Sequence, residues 1–174
     1  MGITFYTPPP EPHDEDERSR AVIASGALEI IDDPELNRLV ERARASLGTS
    51  VAAVSIVHQE WQYLIATAGL KPGVYSRRTS FCGHTVVASD EIFLVPDAGQ
   101  DARFAGNPAV VDGMLRFYVG AVLRDDHGQP LGALCAFDPL PRTGVTQRQE
   151  QQFRDLASAV MVRLEELREF VSSD

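Results

Sequence analysis

Two pairs of apolar, β-branched runs joined by tight turns constrain this chain more than any other feature. Residues 51–57 and 61–67 flank His58-Gln59-Glu60, and residues 116–123 and 131–137 flank a turn built on Asp125-Asp126-His127-Gly128. Runs this close fold back on each other, so each pair predicts an antiparallel hairpin. Gly120 and Gly132 stand inside these strands and point to close backbone approach, a bulge or room for a ligand. A further short strand over 92–95 ends at Pro96-Asp97. Helical patterns gather at both ends of the chain. Residues 15–25 form one, stopped by Gly26. Asp33-Pro34-Glu35 opens a second, with Leu36, Leu39, Val40, Ala43 and Leu47 on one face and Gly48 as its stop. Thr146 and Gln149 form a capping box for a last helix reaching about Val171. Antiparallel strands with helices at the chain ends predict an α+β sandwich.

At 174 residues the chain reads as one domain over 16–174, preceded by a flexible acidic tail over 1–15. In the tail Pro8-Pro9-Pro10 and Pro12 bar regular helix, and Glu11, Asp14 and Glu15 begin an acidic run. The net charge is −9 and Lys71 is the only lysine, which argues against nucleic-acid partners and anionic membrane surfaces. With no apolar run of spanning length and no signal pattern, a cytoplasmic protein is expected. Cys82 and Cys135 lie far apart in sequence. A disulfide is one reading and two buried thiols the other, the second being the one expected in a reducing compartment.

Chemistry concentrates at Ser80-Phe81-Cys82-Gly83-His84, preceded by Arg77 and Arg78. Ser80 is placed to N-cap a short helix running to about Ala88, which makes this turn a candidate pocket wall. The plainer reading is that Phe81, Val86 and Val87 bury a crossover helix. Residues 97–115 read as a long loop with one helical turn near Ala102-Arg103-Phe104. Cys82 is either a reactive thiol, with its pKa lowered by the helix start and neighbouring cations, or a small buried apolar residue. Asp97 and Asp101 either pair with Arg103 or Arg116 structurally, or leave Arg116 or Arg78 to meet an anionic ligand. His58, Cys82, His84 and His127 have no metal-site spacing, so no metal is expected.

The words Ser80-Phe-Cys-Gly-His84, Val95-Pro-Asp97, Asp101-Ala-Arg-Phe104 with Asn107-Pro108, Leu115-Arg-Phe-Tyr-Val-Gly120 and Leu131-Gly-Ala-Leu-Cys-Ala-Phe-Asp138 resemble, in this order, the GAF domain. The likeness is to the bacterial sensory subgroup that often precedes histidine kinase or diguanylate cyclase modules. It implies a central antiparallel sheet of five or six strands. The terminal helices would lie on one face, and the short helix and long loop would enclose a pocket on the other. It also implies a ligand site made of Phe81, Cys82, His84, Asp97, Phe104, Asn107, Arg116 and Tyr118, to which Arg78 adds a cation. The expectation is a stand-alone sensor that binds a small molecule, forms a homodimer and signals through terminal-helix packing to a partner such as a histidine kinase or cyclase. No cofactor is assigned. Covalent bilin is not expected, because bilin-binding members use a cysteine directly followed by histidine on a later helix, and here the spacing is Cys82-x-His84. The alternatives are a thiol-based redox protein using Cys82, similar to the free methionine sulfoxide reductases, and a structural dimerisation module.

Overall fold

Each hairpin forms as its pattern predicts. β1 (Val51–His58) pairs antiparallel with β2 (Trp61–Ala68), and β5 (Phe117–Arg124) with β6 (Pro130–Asp138). The computed structural model describes residues 5–173. β1 also pairs with β6, so the two hairpins join through their inner strands. β3 (Gly73–Ser76) extends the β2 edge and β4 (Ile92–Val95) the β5 edge. The sheet therefore has six strands, all antiparallel, in the order β3-β2-β1-β6-β5-β4. The glycines and proline before residue 74 predict only a loop there. β3 exists because it completes the hydrogen bonding of β2, from Leu64 opposite Gly73 to Trp61 opposite Ser76. Four residues on an exposed edge carry no burial alternation to read.

The inner strands are buried on both faces, yet their side chains still alternate between two cores. Ala52, Val54 and Ile56 face the terminal helices, whereas Ala53 and Val57 face the opposite side. α1 (Glu15–Ser25), α2 (Pro34–Leu47) and α5 (Gln147–Ser172) cover the first face. Asp33 caps α2 through Leu36 N (3.0 Å) and also accepts from Arg163 of α5 at 2.7 and 3.0 Å. That guanidinium holds the Asp33 carboxyl below its ordinary pKa and ties the two helices together. Among the described residues no helix is long and apolar enough to cross a membrane.

α3 (Phe81–Thr85) and α4 (Pro108–Val111) cover the second face. α3 is shorter than the expected run to Ala88. Past Thr85 the bonds tighten to an i,i+3 pattern, with Val87 N on His84 O and Ala88 N on Thr85 O. The turn near Phe104 is present, with Ala105 N bonded to Asp101 O at 2.9 Å. α4 is an addition to the sequence reading. Asn107 caps it and Pro108 takes its first position, the same signal that opens α2.

Gly132 shows why glycine sits mid-strand. A Cβ there would lie 1.9 Å from the backbone carbonyl oxygen of Ser55 on the neighbouring strand. Backbone cannot move aside without parting β1 from β6. Gly132→Ala is expected to cost about 3 kcal/mol or more, the upper end for overpacking, seen as a lower urea midpoint.

Candidate ligand site

Between the sheet and α3–α4 lies a cavity of about 200 Å³. Its floor is the second face of the sheet, with Ala53, Leu64, Cys135 and Phe137. Its roof is Phe81 and Cys82 of α3 with Ala109 and Leu115 from α4 and the turn after it. Tyr75 of β3 and the half-exposed Met114 stand at its rim. Ser80 builds the roof locally. Its hydroxyl accepts from Gly83 N at 3.0 Å and donates to Arg77 O at 2.7 Å, which starts the helix and fixes its approach. Among the lining residues there is no Asp, Glu, Lys, Arg or His, and the polar groups are Gln62, hydroxyls and thiols.

One wall carries a buried polar chain. Tyr118 donates its phenol proton to Cys82 Sγ at 3.3 Å, and its oxygen lies 2.8 Å from Thr85 Oγ1. Gly120 makes room for this arrangement, since a Cβ there would fall 2.5 Å from the Tyr118 hydroxyl and 2.7 Å from Thr85 Oγ1. The second cysteine lies beside this chain, across the sheet from Gly120. Its polar neighbours, Cys135 first and then Tyr118 and Ser55, lower the pKa of Cys82 against the opposing effect of burial. Cys135 is pushed up by its Cys82 neighbour and by its own burial. Burial raises Tyr118 as well, with the neighbouring thiols adding to it.

The expected site residues separate into groups. Phe81, Cys82 and Tyr118 line the cavity. Phe104 and His84 stand behind Phe81. The Phe104 ring stacks on Phe81 at 4.3 Å between centroids, and His84 meets the edge of Phe104 at 4.8 Å. His84 Nε2 donates to Thr7 O at 3.0 Å, which places its proton, and burial depresses its pKa. Asp97 and Arg116 pair with each other outside the cavity at 2.7 and 3.0 Å, with the guanidinium holding the carboxyl below its ordinary value. Asp101 likewise pairs with Arg103 at 2.7 Å. Asn107 is buried as a strut, capping α4 through Ala109 N and donating to Thr79 O, each at 3.0 Å. Arg78 is exposed and lines a separate cleft between the N-terminal arm and the β1–β2 hairpin.

The arm itself crosses α3. Thr7 N donates to Arg103 O at 2.8 Å, and Pro9 packs so closely on Gly83 that a Cβ there would lie 2.6 Å from its ring. Among the lining residues that sequence reasoning missed are Ala53, Gln62, Tyr75, Leu115 and Cys135. Cys135 was within reach, because alternate residues of one strand share a face, so Ala133, Cys135 and Phe137 had to go together. Ala53 and Leu115 carry no chemical signal of their own. A larger cleft of about 900 Å³ lies on the helical face between α1, α5 and the β5–β6 turn, and is lined by charged residues of both signs.

The sequence model of the GAF domain family matches residues 33–164. A cyclic di-GMP phosphodiesterase of Pseudomonas aeruginosa is 35% identical over 161 residues, which is 92% of this chain and 27% of that protein. The chain thus spans about a quarter of that relative. Among solved structures, the GAF domain of an Acinetobacter phosphoenolpyruvate-protein phosphotransferase is similar with a TM-score of 0.62 at 13% identity, covering 92% of this chain and 98% of that one. The chromophore-binding domain of a bacteriophytochrome from R. palustris reaches 0.62 at 15% identity over 92% and 64%. A type II free methionine-R-sulfoxide reductase from Thermoplasma acidophilum reaches 0.59 at 12% over 88% and 96%. At these identities the structural likeness speaks to fold.

Proposed function

Because the chain belongs to the GAF domain family, we propose that it is a sensory module that takes up a small, uncharged, mostly apolar molecule in the cavity under α3 and α4. The lack of charge in the cavity wall carries this reading. An ionised group moved into such surroundings loses several kcal/mol of solvation unless it is paired. Arg116, which the sequence left open either to an anion or to an acidic partner, is already bound to Asp97. A volume of about 200 Å³ suits a molecule of one or two rings, below the usual range for drug-sized ligands.

Occupancy acts first on Phe81, which touches both the ligand space and the Phe104 stack. The output lies on α1 and α5, whose outer faces leave Ile23, Val162 and Phe170 at least 59% exposed. A second copy of the chain covers these residues, and the dimer reports to an output module inside the cell, such as a phosphodiesterase, kinase or cyclase. The phosphodiesterase relative supports that class of partner. Light scattering on the eluting protein checks the dimer, and a monomeric mass at micromolar concentration would remove it.

Thermal shift tests the ligand class. Indole and 4-cresol are the uncharged probes, and cyclic di-GMP and cyclic AMP the anionic ones. At a hundredfold excess over Kd, an uncharged probe should raise Tm by roughly 5–10 °C, with no response to the anions. The reverse pattern would sink the reading. Arg116→Ala should leave the indole response unchanged and shift the urea midpoint little, as its pair with Asp97 is partly exposed.

A further inference from the structure

Two thiols from distant parts of the chain meet in the cavity wall. Cys82 comes from α3 and Cys135 from the middle of β6. Both are 3% exposed. Cys135 pairs across the sheet with Gly120, the position whose missing side chain makes room for the Tyr118 hydroxyl, and that hydroxyl bonds Cys82. Their surroundings are unequal. Cys82 Sγ receives the Tyr118 hydroxyl at 3.3 Å, whereas Cys135 lies against the sheet floor. We infer that Cys82 and Cys135 form a peroxide-responsive dithiol, with Cys82 the attacking thiol and Cys135 the resolving one.

The asymmetry sets these roles. The Tyr118 hydroxyl donates to Cys82 Sγ and so favours its thiolate, which is the nucleophile, while among the described residues no such hydroxyl donates to Cys135. Hydrogen peroxide is small and uncharged, so a cavity without charged walls admits it. The Cys82 thiolate attacks the O–O bond. An S–O bond forms, the O–O bond breaks, and hydroxide leaves to become water. The sulfur is oxidised to a sulfenic acid and the peroxide takes the two electrons. Cys135 sulfur then attacks Cys82 sulfur. The S–S bond forms, the S–O bond breaks, and the departing hydroxide takes the Cys135 proton as a second water. Two thiols and one peroxide thus give one disulfide and two waters. The new bond ties α3 to β6 across the cavity wall and releases the Tyr118 hydroxyl. Oxidation therefore acts on the same roof that a ligand would press, without depending on any ligand.

The test uses the reduced full chain, treated with hydrogen peroxide, quenched with N-ethylmaleimide and digested without reductant. Mass spectrometry should find the Cys82 and Cys135 peptides joined, two hydrogens lighter than their sum, and separable by dithiothreitol. Cys135→Ser should instead accumulate a dimedone adduct at Cys82. Cys82→Ser should leave Cys135 unoxidised at the same dose. Tyr118→Phe should slow the wild-type reaction about tenfold, the loss of one hydrogen bond to a charged sulfur, and move its pH profile upward. Wild-type protein whose two cysteines remain free thiols after peroxide, or in which Cys135 is oxidised first, would overturn the assignment. The wild-type peptide map needs no variant to fold, so the question is answered even if a substitution destabilises the chain.

Discussion

Replacing Glu15 by alanine should remove about 3–5 kcal/mol of folding stability, measured as a lower urea midpoint. The Arg18 side chain is only 1% exposed, and Glu15 binds it through both carboxylate oxygens at 2.8 and 2.9 Å. The same carboxylate accepts from Arg77 at 2.6 Å. Without it, Arg18 keeps only the Pro130 carbonyl at 3.2 Å among its bonds and faces a second cation. Stranding a buried charge costs more than the intact pair contributes, so Glu15→Leu with Arg18→Met should recover part of the loss, with Arg77 left on the Gln59 carbonyl. Acid reports the same contact. Burial alone would raise the Glu15 pKa, but hydrogen bonds and charge from Arg18 and Arg77 outweigh it and hold it at about 2, against an ordinary 4.5. The folded chain binds this proton more weakly than the unfolded one. The stabilisation is therefore complete above about pH 4.5 and fades as pH falls towards about 2. Glu15→Ala should lose that part of the acid response. The contact also bears on signalling. Arg77 donates to Gln59 O at 2.9 Å, and its own carbonyl receives Ser80 N at 3.0 Å. One carboxylate thus joins α1 on the helical face to the turn that starts α3.

The fold was legible because its signals are local and redundant. Strand pairs with short turns admit one pairing, and Asp33-Pro34 and Thr146 with Gln149 mark helix starts through backbone N–H groups that need an acceptor. The mid-strand glycines were legible too, and the structure says what each makes room for: the Ser55 carbonyl at Gly132 and the Tyr118 hydroxyl at Gly120. The candidate site was legible only in its aromatic and thiol part. Charge leaves such a reading undecided, because the sequence offers Asp97 to Arg116 as an ion-pair partner without excluding an anionic ligand, and only the fold shows the pair. Asp97 and Arg116 are 19 residues apart and meet only because β5 brings them together. Apolar lining residues such as Ala53 and Leu115 are invisible for the opposite reason, being chemically the same as core. The arm carried a sign that passed unread. Gly83 inside α3 weakens a helix by about 1 kcal/mol relative to alanine, and the ring of Pro9 accounts for it.

Ala53→Phe should abolish uptake of an uncharged probe while leaving the chain folded. Ala53 is fully buried on β1, opposite Cys135 on one side and Thr67 on the other, and it lines the cavity from the floor. A phenyl ring there occupies much of the space of about 200 Å³. Overpacking into a filled core costs about 1–3 kcal/mol, but this ring enters space that is already open, so stability should change by less than that. Binding should respond far more strongly. A ring-sized molecule that buries roughly 200 Å² of apolar surface gains about 5 kcal/mol, and exclusion forfeits it. The indole-induced rise in Tm should disappear, and affinity should fall at least about 100-fold. Ala53→Val, which adds only two methyl groups, should show an intermediate loss. Retained indole binding in a folded Ala53→Phe protein would move the ligand site out of this cavity. The thiol pair behaves differently under the same substitution. Peroxide is small enough to pass where indole cannot, so the Cys82–Cys135 disulfide should still form, more slowly. A variant that loses indole and keeps the disulfide separates the two inputs that share one roof.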